Sequence, residues 1–151
     1  MQPELLKETV SQMLSLLDAE VTSIEVTSGH RTVVIVSSPE SERLIGQDGE
    51  HLRALNSVAR RIIETKHGLE AASFLIDING YHEAQMERVR DNARMLAQRA
   101  RLFKHDVEME PMSSYERLVV HELFAEDPEI GTESAGEGKF RHIVLKYKTA
   151  N

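Results

Sequence analysis

Arg117 and His121 stand four residues apart in Ser113-Ser114-Tyr115-Glu116-Arg117-Leu118-Val119-Val120-His121. On a helix that spacing puts both side chains on one side, about 6 Å apart along the axis. A guanidinium offers a planar fork of donors to phosphate oxygens, and an imidazole adds a donor or a flat stacking surface. Together they can grip a single backbone phosphate. The same pair can instead serve the fold, with Arg117 against Glu116 or Glu122 and His121 on a local carbonyl.

A second constellation is Leu44-Ile45-Gly46-Gln47-Asp48-Gly49, an apolar pair running into two glycines at the mouth of a helical pattern. Glycines there let the backbone approach a ligand closely, and the first-turn N–H groups with the positive end of the helix dipole suit a phosphate. Arg53 and Arg60 follow on the helix itself. Asp48 cuts the other way: it repels a phosphate, or else it simply favours the helix N-terminus. Lys139, Arg141 and His142 lie on the last strand. They extend a positive patch if that strand neighbours the Arg117 helix, and are ordinary edge charges otherwise. Ile45, Leu55 and Ile35 can floor a groove for bases or belong to the core.

Several classes of function are excluded. The chain has no cysteine, and its seven histidines show no two-ligand spacing, so neither metal nor other cofactor is expected. No nucleophile is paired with a base motif and no Walker-type loop is present, so the chain does not read as an enzyme. There is no basic n-region followed by an apolar core and no apolar run of membrane-spanning length. A cytoplasmic protein with no membrane insertion of its own is expected. The net charge of −7 argues against strong non-specific binding to nucleic acid, yet charge is unevenly placed. Residues 43–66 hold five bases against three acids and residues 79–105 hold six against three, whereas residues 106–138 hold ten acids and only Arg117. Positive charge is thus confined to two helices and the last strand.

The elements that must position these residues follow from periodicity. Residues 3–18 read as a helix with Leu6, Val10, Met13, Leu14 and Leu17 on one face. Two β-branched runs from Val21 to Ser38 make a hairpin around Ser28-Gly29-His30-Arg31, with Gly29 opening a two-residue loop. One helical turn, the two glycines and a helix to about Lys66 come next, then a strand over 74–78 and the Asn79-Gly80 turn. The longest helix spans about Tyr81 to Phe103, with Val89, Ala93, Leu96, Ala100 and Phe103 as its core stripe. On its flanks Glu87 can pair with Arg90 and Asp91 with Arg94, while Arg99 has no acid within reach. A short strand around Val107 precedes a helix opened by the capping box Ser113/Glu116. A glycine-rich stretch over 131–138 separates a short strand from the last one, Phe140 to Tyr147.

The order helix, strand, strand, short helix, Gly-x-x-Gly, helix, strand over residues 1–79 resembles a type II KH domain, whose loop clamps the backbone of single-stranded nucleic acid. That family usually carries a basic residue between the glycines, where this chain has Gln47 and Asp48. Residues 80–151, with Arg117-x-x-x-His121, Thr132, Ser134, Gly136-Glu137-Gly138 and Arg141, resemble the R-three-H domain. The two in this order resemble the Jag (SpoIIIJ-associated) proteins of bacteria, in a short form without the N-terminal domain of longer members. His82 stands where that family usually has arginine. The resemblance implies an α+β architecture: a type II KH domain (αββααβ), then a small R-three-H α/β domain with a three-stranded sheet. It implies binding of single-stranded RNA, with DNA a possibility, without catalysis and in an accessory or regulatory role. The binding residues would be Ile45, Gly46, Gln47, Asp48, Gly49, Arg53, Arg60, Arg117, His121, Lys139 and Arg141. The alternative is a protein-binding adaptor, with a partner in a membrane-insertion or cell-envelope pathway.

Overall fold

The computed structural model describes residues 2–149. The chain divides into two compact units, with the boundary between His82 and Glu83, two residues into helix α4 (Tyr81–Phe103). Both units mix helices with a small three-stranded sheet.

In the first unit, α1 (Pro3–Leu16), α2 (Ser41–Ile45) and α3 (Glu50–His67) accompany a sheet of β1 (Ser23–Ser28), β2 (Thr32–Ser37) and β3 (Phe74–Ile78). Strand β2 is central, antiparallel to β1 and parallel to β3. The parallel pair requires a crossover, which α2 and α3 supply. Leu6, Val10 and Leu14 of α1, Leu52, Ala59 and Ile63 of α3, and Val34, Val36, Phe74, Ile76 and Ile78 of the sheet form one core. Alternation along β2 buries Val34 and Val36 and leaves Ile35 out of that core, so Ile35 and the buried Leu55 do not share a groove floor. Helix α1 ends at Leu16, leaving Leu17 at its C-cap and half exposed rather than on the buried face. The hairpin pairs Ser28 with Thr32, so its loop has three residues, not two.

Side-chain amides finish the sheet. Asn79 accepts from Ser38 N–H (3.0 Å) and donates to Ser38 O (2.8 Å), prolonging the β2–β3 ladder beyond Ile78. Asn56 of α3 accepts from Ile76 N–H (2.7 Å) and donates to Ile76 O (3.0 Å), satisfying the outer edge of β3. The buried Asp77 accepts from His82 N–H (2.8 Å) in the first turn of α4.

In the second unit, β4 (Val107–Glu108), β5 (Ile130–Ala135) and β6 (His142–Tyr147) are ordered β4-β6-β5, all antiparallel, with α5 (Ser114–Leu123) inserted between β4 and β5. Helix α4 packs through an alanine seam, Ala93, Ala97 and Ala100, which lets its backbone approach the core closely. Val89 and Leu96 flank the seam, and Phe103 at the helix end is exposed, which departs from the expected stripe. The glycine-rich stretch is not a loop throughout: residues 130–135 pair with 147–142, and the connection is shortened accordingly.

Candidate nucleic-acid interface

The Gly46–Gly49 segment is a single 3₁₀ turn between α2 and α3. Gly46 adopts φ 72°, ψ 179°, a conformation open essentially to glycine, and Gly49 adopts φ 75°, ψ 17°. Space imposes glycine as strictly as backbone does. A Cβ on Gly46 would lie 2.5 Å from His51 Cγ, and one on Gly49 would lie 2.9 Å from the Tyr81 ring. The Gly46 N–H donates to Glu42 O of α2 (2.9 Å) and the Gly49 N–H to Gly46 O (3.3 Å), so both glycine amides are already spent. Gln47 and Asp48 are exposed, and Asp48 is itself left-handed at φ 51°. Ile45 is half-buried against the core. Arg53 donates to the Asp48 carbonyl (2.6 Å), which plants a cation beside the loop. Arg60 lies two turns further along the same stripe of α3, half-buried and without an acidic partner among the described residues.

In the second unit the capping box forms as expected: Ser113 N–H donates to Glu116 (2.7 Å) and Glu116 N–H to Ser113 Oγ (3.3 Å). This fixes the start of α5 and with it the direction of Arg117. The guanidinium donates to Met112 O (2.8 Å) and to Ser114 Oγ (3.1 Å) and meets no carboxylate among the described residues. His121, one turn on, bonds neither an acid nor a carbonyl among the described residues. Its Nδ1 lies 2.6 Å from Thr132 Oγ1 and its Nε2 3.0 Å from Ser134 Oγ, two hydroxyls on one face of β5.

Lys139 and Arg141 precede the last strand rather than lying on it. A 3₁₀ turn (Phe140 N–H to Glu137 O, 3.1 Å; Arg141 N–H to Gly138 O, 3.3 Å) delays β6 until His142. Met112 N–H donates to Arg141 O (3.1 Å), so one residue ties the Arg117 guanidinium to the backbone of Arg141. Arg117 is therefore tied to the segment that carries Lys139 and Arg141, and none of the three pairs with a carboxylate among the described residues.

Half of the other lysines and arginines of this unit are neutralised, Arg101 by Asp127 among them. Arg90 meets Glu83 and Glu87 (both 2.9 Å), Arg94 meets Asp91 (2.8 Å) and Glu87 (3.1 Å), and Lys146 meets Asp106 (3.1 Å). Hydrogen bonds from Arg94 and then Arg90 hold the Glu87 carboxyl below its usual range. Arg88 and Arg99 are exposed on α4 without ion pairs among the described residues. The described residues contain no group of three side chains suited to a metal. No helix among them is long and apolar enough to cross a membrane.

Residues 84–147 match the family model of the R-three-H domain. The chain carries an R-three-H domain, as the Jag family does. It is 30% identical over 108 residues to an RNA-binding protein KhpB from Clostridium symbiosum, a match covering 72% of this chain and 48% of that one. It is 26% identical over 150 residues to the RNA-binding protein KhpB of Bacillus subtilis, covering 97% and 70%. The protein of that name in Streptococcus pneumoniae is 24% identical over 136 residues, covering 90% and 41%. The chain thus spans about half the length of the first relative, 48%. Within the R-three-H match, sequence reasoning singled out Arg117 and His121 but missed how each is held. Met112 contributes only its main chain, and the hydroxyls of Thr132 and Ser134 reach His121 across an intervening turn, so neither link has a local spacing to reveal it.

Proposed function

We propose that this chain binds single-stranded nucleic acid, RNA ahead of DNA, as a cytoplasmic accessory or regulatory factor without catalysis. One observation carries the reading: in the R-three-H unit the cations left without a carboxylate include Arg117 and Arg141, linked through the main chain of Met112, and Lys139 two residues before Arg141. An unneutralised guanidinium costs nothing extra to hand to a phosphate, whereas Arg90 and Arg94 would first have to break ion pairs. The relatives named RNA-binding proteins support RNA as the ligand, and those names with the R-three-H domain suggest a non-enzymatic role.

We read residues 1–79 as a type II KH domain and residues 80–151 as the domain bearing the R-three-H motif. The αββααβ order and the glycine turn ahead of α3 support this. The binding set is Ile45, Gly46, Gln47, Asp48, Gly49, Arg53 and Arg60 in the first domain, and Arg117, His121, Lys139 and Arg141 in the second. With Asp48 and Glu50 at the mouth of α3, the first domain is the weaker contributor.

The test is a salt titration with a mixed-sequence RNA oligomer. Each neutralised phosphate adds a slope of about −0.7 in log affinity against log salt for single strands. A shallow negative slope reflecting few contacts is expected. No binding at low salt would overturn the reading in favour of a protein-binding adaptor. That alternative has its own support in the first unit, an apolar groove of about 600 Å³ lined by Leu16, Leu17, Leu44, Leu55, Val58 and Ile62 and edged by Arg43 and His51.

A further inference from the structure

The turn between β5 and β6 carries an aromatic ring that the core does not use. Phe140 leaves 66% of its surface exposed, although the chain is poor in aromatics and an open phenyl ring forgoes its burial energy. The turn that holds it is braced. Arg141 donates to Gly136 O (2.9 Å), His142 Nδ1 lies 2.9 Å from Phe140 O, and a Cβ on Gly136 would come within 2.8 Å of Phe140 O. Lys139 Nζ sits over the ring, 5.2 Å from its centroid. The ring thus carries Lys139 over one face and immediately precedes Arg141, whose carbonyl is tied through Met112 to the Arg117 guanidinium. Phe103, the other exposed phenylalanine, already stacks on His105 at 5.9 Å.

We propose that Phe140 is a stacking platform for one nucleobase of a single strand whose phosphates lie along Arg117, Lys139 and Arg141. The proposal rests on the reading of this unit as a single-strand binder. Every base has a π-face, so the contact would be tolerant of sequence. It would discriminate against duplex, because a base must be unstacked to reach the ring. Lys139 occupies one ring face and is placed to meet the adjoining phosphate, while the base takes the other face.

The experiment compares two probes, a twelve-nucleotide mixed-sequence RNA and an abasic sugar–phosphate strand of the same length. Phe140→Ala should weaken binding of the base-bearing strand by about fivefold or more and leave the abasic strand unaffected. Arg117→Ala should weaken both. The chain has no tryptophan, so Phe140→Trp supplies a reporter: its fluorescence should be quenched by the RNA and not by the abasic strand. Equal losses on both strands with Phe140→Ala, or an unquenched Phe140→Trp with affinity unchanged in Phe140→Ala, would overturn the platform while leaving the phosphate contacts standing. Wild-type protein that bound neither strand at low salt would overturn both readings. Circular dichroism of each variant should be unchanged, since the ring is outside the core.

Discussion

His121 fastens helix α5 to strand β5 through Thr132, whose hydroxyl lies 2.6 Å from the imidazole Nδ1. With Ser134 on the other ring nitrogen, a neutral imidazole can donate to one hydroxyl and accept from the other, so the ring is held at a fixed angle beside Arg117. These two contacts make His121 a structural tie between α5 and β5. His121→Ala should lower stability by about 1 kcal/mol, measured by urea unfolding, because it strands two hydroxyls. Thr132→Val with Ser134→Ala should reproduce part of its effect on RNA affinity. An RNA affinity untouched by the hydroxyl pair would remove them from the site.

Arg117→Ala should weaken binding of every sequence alike, as a backbone contact carries no base information. Arg117→Lys should restore only part, since an ammonium cannot hold Met112 O, Ser114 Oγ and a phosphate with one planar fork. Combined with His121→Ala, the loss should be smaller than the sum of the two singles. Strict additivity in folded variants would mean two independent contacts.

The helical turns were legible where one face repeats over several turns. Helix α4 runs from Tyr81 to Phe103 as its pattern indicates, and α3 buries Leu52, Leu55, Ala59 and Ile63. Where large and small apolar residues compete, pattern misleads: α4 packs on Ala97, and Phe103, in phase with the stripe, stays in water. Turns were harder. Gly29 reads like the first residue of a two-residue hairpin, but the register of β1 on β2 is set by the whole ladder and leaves three residues out. In the site, Arg117 and His121 have a local signal. The link from Arg117 through Met112 to Arg141 has none, because its middle member is a peptide unit and any residue but proline there could supply it.

Gly46→Ala should destabilise the first unit. At φ 72°, ψ 179° a non-glycine residue costs about 1–3 kcal/mol in backbone strain alone. The new methyl would also fall on the His51 ring, which is tethered by its 2.7 Å contact with Arg43 O. Gly29→Ala is the control: nothing lies within 4 Å of its Cβ position, and it should melt with the wild type. Equal melting temperatures for wild type and Gly46→Ala would refute this account of the loop.

Stability should depend on pH through Asp127. Burial pushes its carboxyl up, but N–H donation from Glu129 (2.8 Å) and Ile130 (2.9 Å) and the Arg101 guanidinium outweigh burial and hold it below its ordinary 3.8. A depressed folded-state value means stabilisation that is complete above the unfolded carboxylate range and lost as pH falls through the folded value. Asp127→Asn should therefore cost about 1 kcal/mol at pH 7, with the gap to wild type narrowing as pH drops below 3.8. A gap independent of pH would assign the loss to geometry instead of charge.

Asp48 supplies the test of whether the first unit contributes. Its carboxylate is exposed at the mouth of α3, in the path a phosphate would take to the helix N-terminus, while its carbonyl holds Arg53 at 2.6 Å. Asp48→Lys would reverse the charge, but its left-handed backbone, φ 51°, costs lysine about 1–2 kcal/mol in folding energy. Asparagine tolerates that conformation and keeps the carbonyl for Arg53, so Asp48→Asn removes the negative charge and little else. It should tighten single-strand binding, by more at about 20 mM than at about 200 mM salt, since an exposed charge is screened within about 10 Å at 0.1 M. Arg53→Ala should act oppositely, weakening binding with the same salt dependence. If both variants fold and bind as the wild type does at low salt, the Gly46–Gly49 turn lies outside the interface, and the R-three-H unit binds alone.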